Sequence, residues 1–113
     1  MVKDVSLIIP SQNAEKKLLQ LLSYIPNWEI IPSEIIIIDS SLKKFLVPED
    51  FELFIKKHSI KLLVIYKKNL YPGHARNIGI INSTNPLLAF LDTSTHPTKR
   101  WLASGLNLIN LNN

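Results

Sequence analysis

The sequence predicts a three-layer α/β/α domain with a mainly parallel sheet, and three observations point there. Short runs apolar on both faces, above all Glu34-Ile35-Ile36-Ile37-Ile38-Asp39 and Leu87-Leu88-Ala89-Phe90-Leu91-Asp92, suit buried strands covered by helices on either side. Segments with helical spacing alternate with such runs. Both runs stop at a carboxylate, which brings a polar group to the sheet edge where open α/β folds bind ligands.

Taken in order, Val5-Ser6-Leu7-Ile8-Ile9 reads as a first strand, with Pro10 expected to stop its hydrogen-bond ladder. Asn13 is a candidate cap for a helix whose Leu18, Leu21, Leu22 and Ile25 share a face, and Pro26 marks its exit. The four isoleucines form the second strand. Pro48, followed by Glu49 and Asp50, opens a second helix that buries Phe51, Phe54 and Ile55. Lys61 to Tyr66 is a third strand, and a proline-led helix over 72–82 presents Ala75, Ile78 and Gly79 on one face. After a turn at Ser83-Thr84-Asn85-Pro86 comes the strand ending at Asp92. Pro97 is expected to open a last helix with Trp101, Leu102, Gly105, Leu106 and Ile109 on one side.

This β-α-β-α-β-α-β-α order implies right-handed crossovers. With the first strand central, the sheet order is 3-2-1-4, a Rossmann-like arrangement in which the chain reverses direction between strands one and four. A crevice opens at that switch point, walled by Ser11 to Asn13 and by Asp92 to Ser94, with Asp39 one strand away.

At 113 residues, 46% hydrophobic and 19% charged, the chain is a single globular domain, small for a complete α/β enzyme. The absence of cysteine excludes a disulfide framework and thiolate metal sites. A net charge of +4 and a pI near 9.4 fit an anionic ligand or a membrane surface. The lysines fall in separated pairs and no recognition motif is present, so nucleic acid is not an expected partner. No apolar run is long enough for a signal-peptide core or a bilayer span. The expected location is therefore the cytoplasm, free or at the inner face of the membrane.

Asp39 and Asp92 each have two readings. A strand-end acid can satisfy loop amides, or it can accept hydrogen bonds from ribose hydroxyls or a base. Arg76, beside Asn77 at a helix start, either pairs with a strand-end carboxylate or meets a phosphate. A phosphoacceptor receiver needs an acidic cluster after the first strand, and a dinucleotide enzyme needs a glycine-rich first turn. Pro10-Ser11-Gln12 supplies neither. A phosphatase with an Asp-x-Asp nucleophile motif would need an acid at position 94, where this chain has serine.

Four segments in this order and spacing resemble the first half of a family 2 inverting glycosyltransferase of the GT-A fold. They are Val5 to Asn13, Glu34 to Ser41, Ala75-Arg76-Asn77-Ile78-Gly79-Ile80, and Phe90-Leu91-Asp92 with Pro97 and Trp101. The resemblance implies a nucleotide-diphospho-sugar site in which Ser11 and Asp39 hold the nucleoside and Arg76 lies near it. Asp92 is then the first acid of the Asp-x-Asp motif, and Asn13 and Ser94 complete the binding set. It also implies a Mn²⁺ or Mg²⁺ site that this chain furnishes only in part. Asp92 remains as a ligand, Ser94 replaces the second acid, and a hydroxyl or His96 is a weak substitute for carboxylate oxygen. A second departure is Tyr71-Pro72-Gly73, where the family has a flexible glycine-containing loop.

In the resembled fold the acceptor site and catalytic base lie in the second half. Residues 1–113 are accordingly expected to be a truncated nucleotide-sugar-binding half-domain whose parent transfers a glycosyl group, with inversion, to a glycan or lipid-linked acceptor. The unfinished sheet edge at strand four suggests pairing with another copy. The alternative is a non-catalytic binding module that keeps the fold without the chemistry.

Overall fold

The computed structural model describes the backbone of residues 1–111 and the side chains of residues 1–109. Its strands are β1 (Val2–Ser11), β2 (Ile31–Asp39), β3 (Lys61–Tyr66) and β4 (Leu87–Phe90). The helices are α1 (Glu15–Tyr24), followed by a 3₁₀ turn at Ile25–Asn27, α2 (Glu49–Lys57), α3 (Pro72–Asn82) and α4 (Trp101–Leu111). The four strands form one sheet in the order β3-β2-β1-β4, and every pairing is parallel, as the sequence predicts.

Alternation along the strands sorts the core into two layers. Leu7 and Ile9 of β1, Ile35 and Ile37 of β2 and Leu91 face one side, where they meet Leu18, Leu21 and Leu22 of α1, Phe51 and Ile55 of α2 and Leu102 of α4. Ile8, Ile36 and Ile38 face the other side and meet Ala75 and Ile78 of α3. The domain is therefore a three-layer α/β/α sandwich, with α3 alone covering its face among the described helices. Gly79 lets α3 lie close, since a Cβ there would overlap Ile8 Cγ2 and reach Ile38 Cδ1 at 3.0 Å.

Several local expectations are corrected. Pro10 does not end β1, because Ser11 still pairs with Asp39 and its carbonyl accepts the Ser40 amide at 2.9 Å. The reason is directional. Ile8 offers its carbonyl to Leu91 N at 3.1 Å, so Pro10, two residues on, points its missing N–H toward the same side, where β4 has already ended at Phe90. No ladder bond is lost. Asn13 does not cap α1: it has a left-handed φ of 50°, and Ala14 occupies the cap position with no side-chain hydrogen bond.

Pro97 does not start α4, which begins at Trp101 with its amide bonded to Thr98 O at 3.0 Å. In α4, Leu102 and Ala103 are buried while Gly105 and Ile109 are exposed, so the apolar face is narrower than expected. Trp101 packs against Trp28 with ring centroids 5.5 Å apart, and Arg100 pairs with Glu29 at 2.9 Å. The strand expected to end at Asp92 ends at Phe90 and is not buried on both faces, though its place matches the predicted order. It is the short sheet edge, with Leu87 and Phe90 each 40% exposed. An apolar groove of about 420 Å³ runs between β4 and α4.

At the opposite end of the sheet from Asp39 and Asp92, Glu34 is 1% exposed and fully engaged. Its carboxylate accepts from Ser6 Oγ at 2.6 Å, from Thr84 N at 2.9 Å and Thr84 Oγ1 at 3.1 Å, and pairs with Lys61 Nζ at 3.4 Å. Asn85 adds bonds to Ser6 Oγ and Ser33 Oγ. One carboxylate thus joins β1, β2, β3 and the turn between α3 and β4. Burial pushes its pKa up, but the bonds from Ser6, Thr84 and Lys61 outweigh that and hold it below the ordinary value of 4.5.

Two stability outcomes are expected. Gly79→Ala overpacks the α3–sheet contact and costs about 1–2 kcal/mol net of the gain in helix propensity, read as a lower denaturant midpoint. Glu34→Gln costs about 1–3 kcal/mol at neutral pH by disrupting buried hydrogen bonds. Because the folded-state pKa of Glu34 is depressed, its contribution is present above about pH 4.5 and is lost as pH falls through the folded value. The gap between wild type and Glu34→Gln should therefore narrow below that pH in denaturant titrations.

Candidate functional site

The site forms where β1 and β4 part. Beyond Phe90 the chain leaves the sheet, and Asp92, Thr93 and Ser94 turn away beside Ser11 and Gln12 at the end of β1. Asp92 holds this turn loosely, with Ser94 N donating to Oδ1 at 3.4 Å and Thr95 N to its carbonyl at 3.0 Å. On the other side of β1, the loop after Asp39 is stitched to the loop after Ser11. Asn13 N donates to Ser41 Oγ at 2.7 Å, and Asn13 Oδ1 accepts from Leu42 N at 2.9 Å. Asparagine tolerates the left-handed backbone that this reciprocal contact demands.

Three depressions join around the end of β1. The first, about 250 Å³, is lined by Pro10, Ser11, Gln12, Ser40, Leu70, Pro72, Ala75, Arg76, Asp92 and Thr93. A second, about 230 Å³, shares Ser11 and adds Asn13, Ser41, Leu42, Lys43 and Phe45. The third, about 580 Å³, shares Gln12, Asp92 and Thr93 with the first and adds Lys16, Lys17 and Ser94. Of the residues expected at the site, Ser11, Asn13, Arg76, Asp92 and Ser94 all line this composite groove. The segments carrying them are far apart in sequence.

Asp39 is placed differently. It is fully buried, its Oδ1 accepting from Ser41 N at 3.1 Å and its Oδ2 bonded to Phe45 N, so it organises the Ser40–Phe45 loop from beneath. Tyr66 at the end of β3 completes the same loop, its hydroxyl lying 3.0 Å from Ser41 O and 3.1 Å from Leu42 O. Sequence reasoning passed over Tyr66, although a hydroxyl-bearing aromatic at the end of a strand paired with β2 was the available signal. It also passed over Lys16 and Lys17, whereas Gln12 and Thr93 fall within the two walls it expected. The two lysines look like a solvated helix face until the groove is seen to reach them.

The electrostatics separate the two readings of Arg76. The ion pairs among the described residues join Lys61 to Glu34 and Arg100 to Glu29; Arg76 has no carboxylate partner. It is exposed, at the groove, and unneutralised. As to a divalent metal, the groove offers the Asp92 carboxylate with the Ser94 hydroxyl beside it, and Mn²⁺ and Mg²⁺ favour several carboxylate, phosphate or water oxygens. His96 is engaged elsewhere, its Nδ1 3.0 Å from the Tyr24 hydroxyl. Among the described residues no group of three or more His, Asp or Glu side chains is placed to hold an ion. The protein donors at Asp92 do not by themselves fit such a metal.

A family model described as Glycosyl transferase family 2 matches residues 6–113. The chain belongs to that family. No curated relative matches it. Among solved structures, TarS 1–349 of S. aureus in complex with UDP superposes with a TM-score of 0.72 at 20% identity, covering 96% of this chain and 32% of that one. The UDP-GlcNAc complex of TarS 1–349 gives 0.64 at 21% identity, over 96% and 31%. The mannosyltransferase PcManGT from Pyrobaculum calidifontis, in complex with GDP-Man and Mn²⁺, gives 0.65 at 16% identity, over 90% and 31%. At these identities the likeness shows the GT-A fold, and the chain spans about a third of the length of those structures. Within family 2, then, this is a glycosyltransferase-like domain with the Rossmann-like core of the GT-A fold.

Replacing the buried Asp39 with asparagine sets an amide N–H₂ against a backbone N–H and costs about 1–3 kcal/mol. The expected signature is local: hydrogen exchange at Ser41 and Phe45 accelerates more than at Ile36 in the strand centre.

Proposed function

We propose that the chain binds a nucleotide-diphospho-sugar donor in the groove at the end of β1, as the donor-binding part of an inverting glycosyltransferase. The observation that carries this reading is Arg76, a guanidinium with no ion pair among the described residues, lining the same cleft as Ser11 and Asp92 at the point where the sheet reverses. Guanidinium suits phosphate, and strand-end hydroxyl and carboxylate oxygens suit ribose and base donors. Membership of family 2 and the UDP, UDP-GlcNAc and GDP-Man bound by structures of like fold support the same ligand class.

The lining of the groove supports a role for each residue. Ser11 and Asn13 line the wall formed with the Ser40–Phe45 loop and contact the nucleoside there. Asp39 acts through that loop, as a positioning residue. Arg76 meets the phosphates, while Asp92 and Ser94 lie where the diphosphate joins the sugar. In the parent reaction an acceptor hydroxyl oxygen, on a glycan or lipid-linked molecule, bonds to the anomeric carbon. The bond from that carbon to the β-phosphate oxygen breaks, its electron pair stays on the diphosphate, and the hydroxyl proton passes to a base. None of the residues discussed is assigned as that base.

Calorimetry with UDP-, GDP- and TDP-sugars tests the reading. One of them should bind saturably, and Arg76→Ala or Asp92→Ala should weaken it about tenfold or more, about 1.4 kcal/mol. If none of the three binds at about 1 mM, an affinity equivalent to about 4 kcal/mol, the donor reading is overturned in favour of a non-catalytic binding module.

A further inference from the structure

We propose that Lys16 and Lys17 of α1, facing Arg76 of α3 across the end of β1, form a cation clamp on the donor diphosphate and take the charge-neutralising role that a divalent metal would fill. The inference rests on the donor-binding reading above and deepens it. It begins from the donor set. With Ser94 where a second carboxylate would stand and His96 bonded to Tyr24, Asp92 is a poor metal site. A diphosphate still carries negative charge, and more accumulates on it as the sugar departs. Some positive group has to face it.

The groove supplies such groups from both layers. Arg76 lines the depression on the α3 side, and Lys16 and Lys17 line the one on the α1 side. Gln12, Asp92 and Thr93 line both, so the two depressions meet at the strand ends. Lys16 and Lys17 are exposed, and like Arg76 neither makes an ion pair among the described residues. The opposing charges on the lining are Asp92 and Glu15, and neither is paired with these cations. Three cations with no ion pair among the described residues, lining adjoining depressions against the two carboxylates Asp92 and Glu15, leave an excess of positive charge, which is the complement of a diphosphate. Arg76 offers a planar fork for two oxygens, and the lysines offer movable point charges that can follow the phosphate as the leaving group forms.

Calorimetry of the full chain with UDP, GDP, TDP and inorganic pyrophosphate, each with EDTA or with Mn²⁺, tests the clamp. Lys16→Ala/Lys17→Ala and the length-preserving Lys16→Gln/Lys17→Gln should each weaken the best nucleoside diphosphate more than about fivefold, about 1 kcal/mol. Wild-type affinity should fall as salt rises and change less than about fivefold, about 1 kcal/mol, on adding Mn²⁺. A loss below that threshold in either double variant, or a Mn²⁺ gain above it, overturns the clamp. Nucleoside diphosphates binding no tighter than pyrophosphate overturn the donor reading instead, and a loss of pyrophosphate binding in the lysine variants then still upholds the clamp as a bare anion site. Unchanged thermal midpoints confirm that the variants, at exposed positions, remain folded.

Discussion

Everything at the candidate site depends on β1 pairing in parallel with a neighbour on each side. β2 continues alongside it to the last residue, Asp39 opposite Ser11, whereas β4 stops at Phe90 opposite Ile8. The difference in length opens the seam. Pro10 favours that asymmetry by presenting no donor on the side that β4 has vacated, so an extended β4 would find only the Pro10 carbonyl to bond there. The groove is thus a direct product of hydrogen-bond geometry in the sheet, before any side chain lining it is considered.

The polar groups around the groove divide into those that are satisfied and those that are not. Asp39, Asn13, Ser41 and Tyr66 use their bonds on the loops after β1 and β2 and hold those two rim loops together. Arg76, Lys16 and Lys17 use none in ion pairs among the described residues. The buried part of this network, around Asp39, specifies shape because leaving its carboxylate unpaired is costly, while exposed cations remain free to meet a ligand. Recognition therefore falls to the groups that the scaffold does not consume.

Much of this was legible in the sequence because the controlling signals are strong and local. The isoleucine run, the proline-led α3 and the spacing of Leu18, Leu21 and Leu22 each admit one element type, and four such units in series leave few sheet orders. The acids at strand ends located the rim. What escaped were features decided by tertiary partners. Asn13 looks like a helix cap in isolation, and becomes a loop–loop link only because Leu42 is brought opposite it. For Asp39 the sequence left two readings open, and the amides of Ser41 and Phe45 that take up its carboxylate could be located only in the fold. Glu34 reads as the polar start of a strand, and Ser6, Thr84 and Lys61, which make it a buried hub, lie far away in the chain. Pro97 precedes α4 without starting it, since Thr98 supplies the first turn's acceptor to Trp101.

The cluster around Glu34 also governs how the molecule moves. It fastens three strands and the turn leading to the fourth at the end of the sheet remote from the groove, while the groove end is held on one side only. More bonds would have to break to move the fastened base than the open mouth, like a fan gripped at its handle. A guest entering the mouth meets parts that can adjust to its outline, and the ordering it imposes stays confined to the loops it touches.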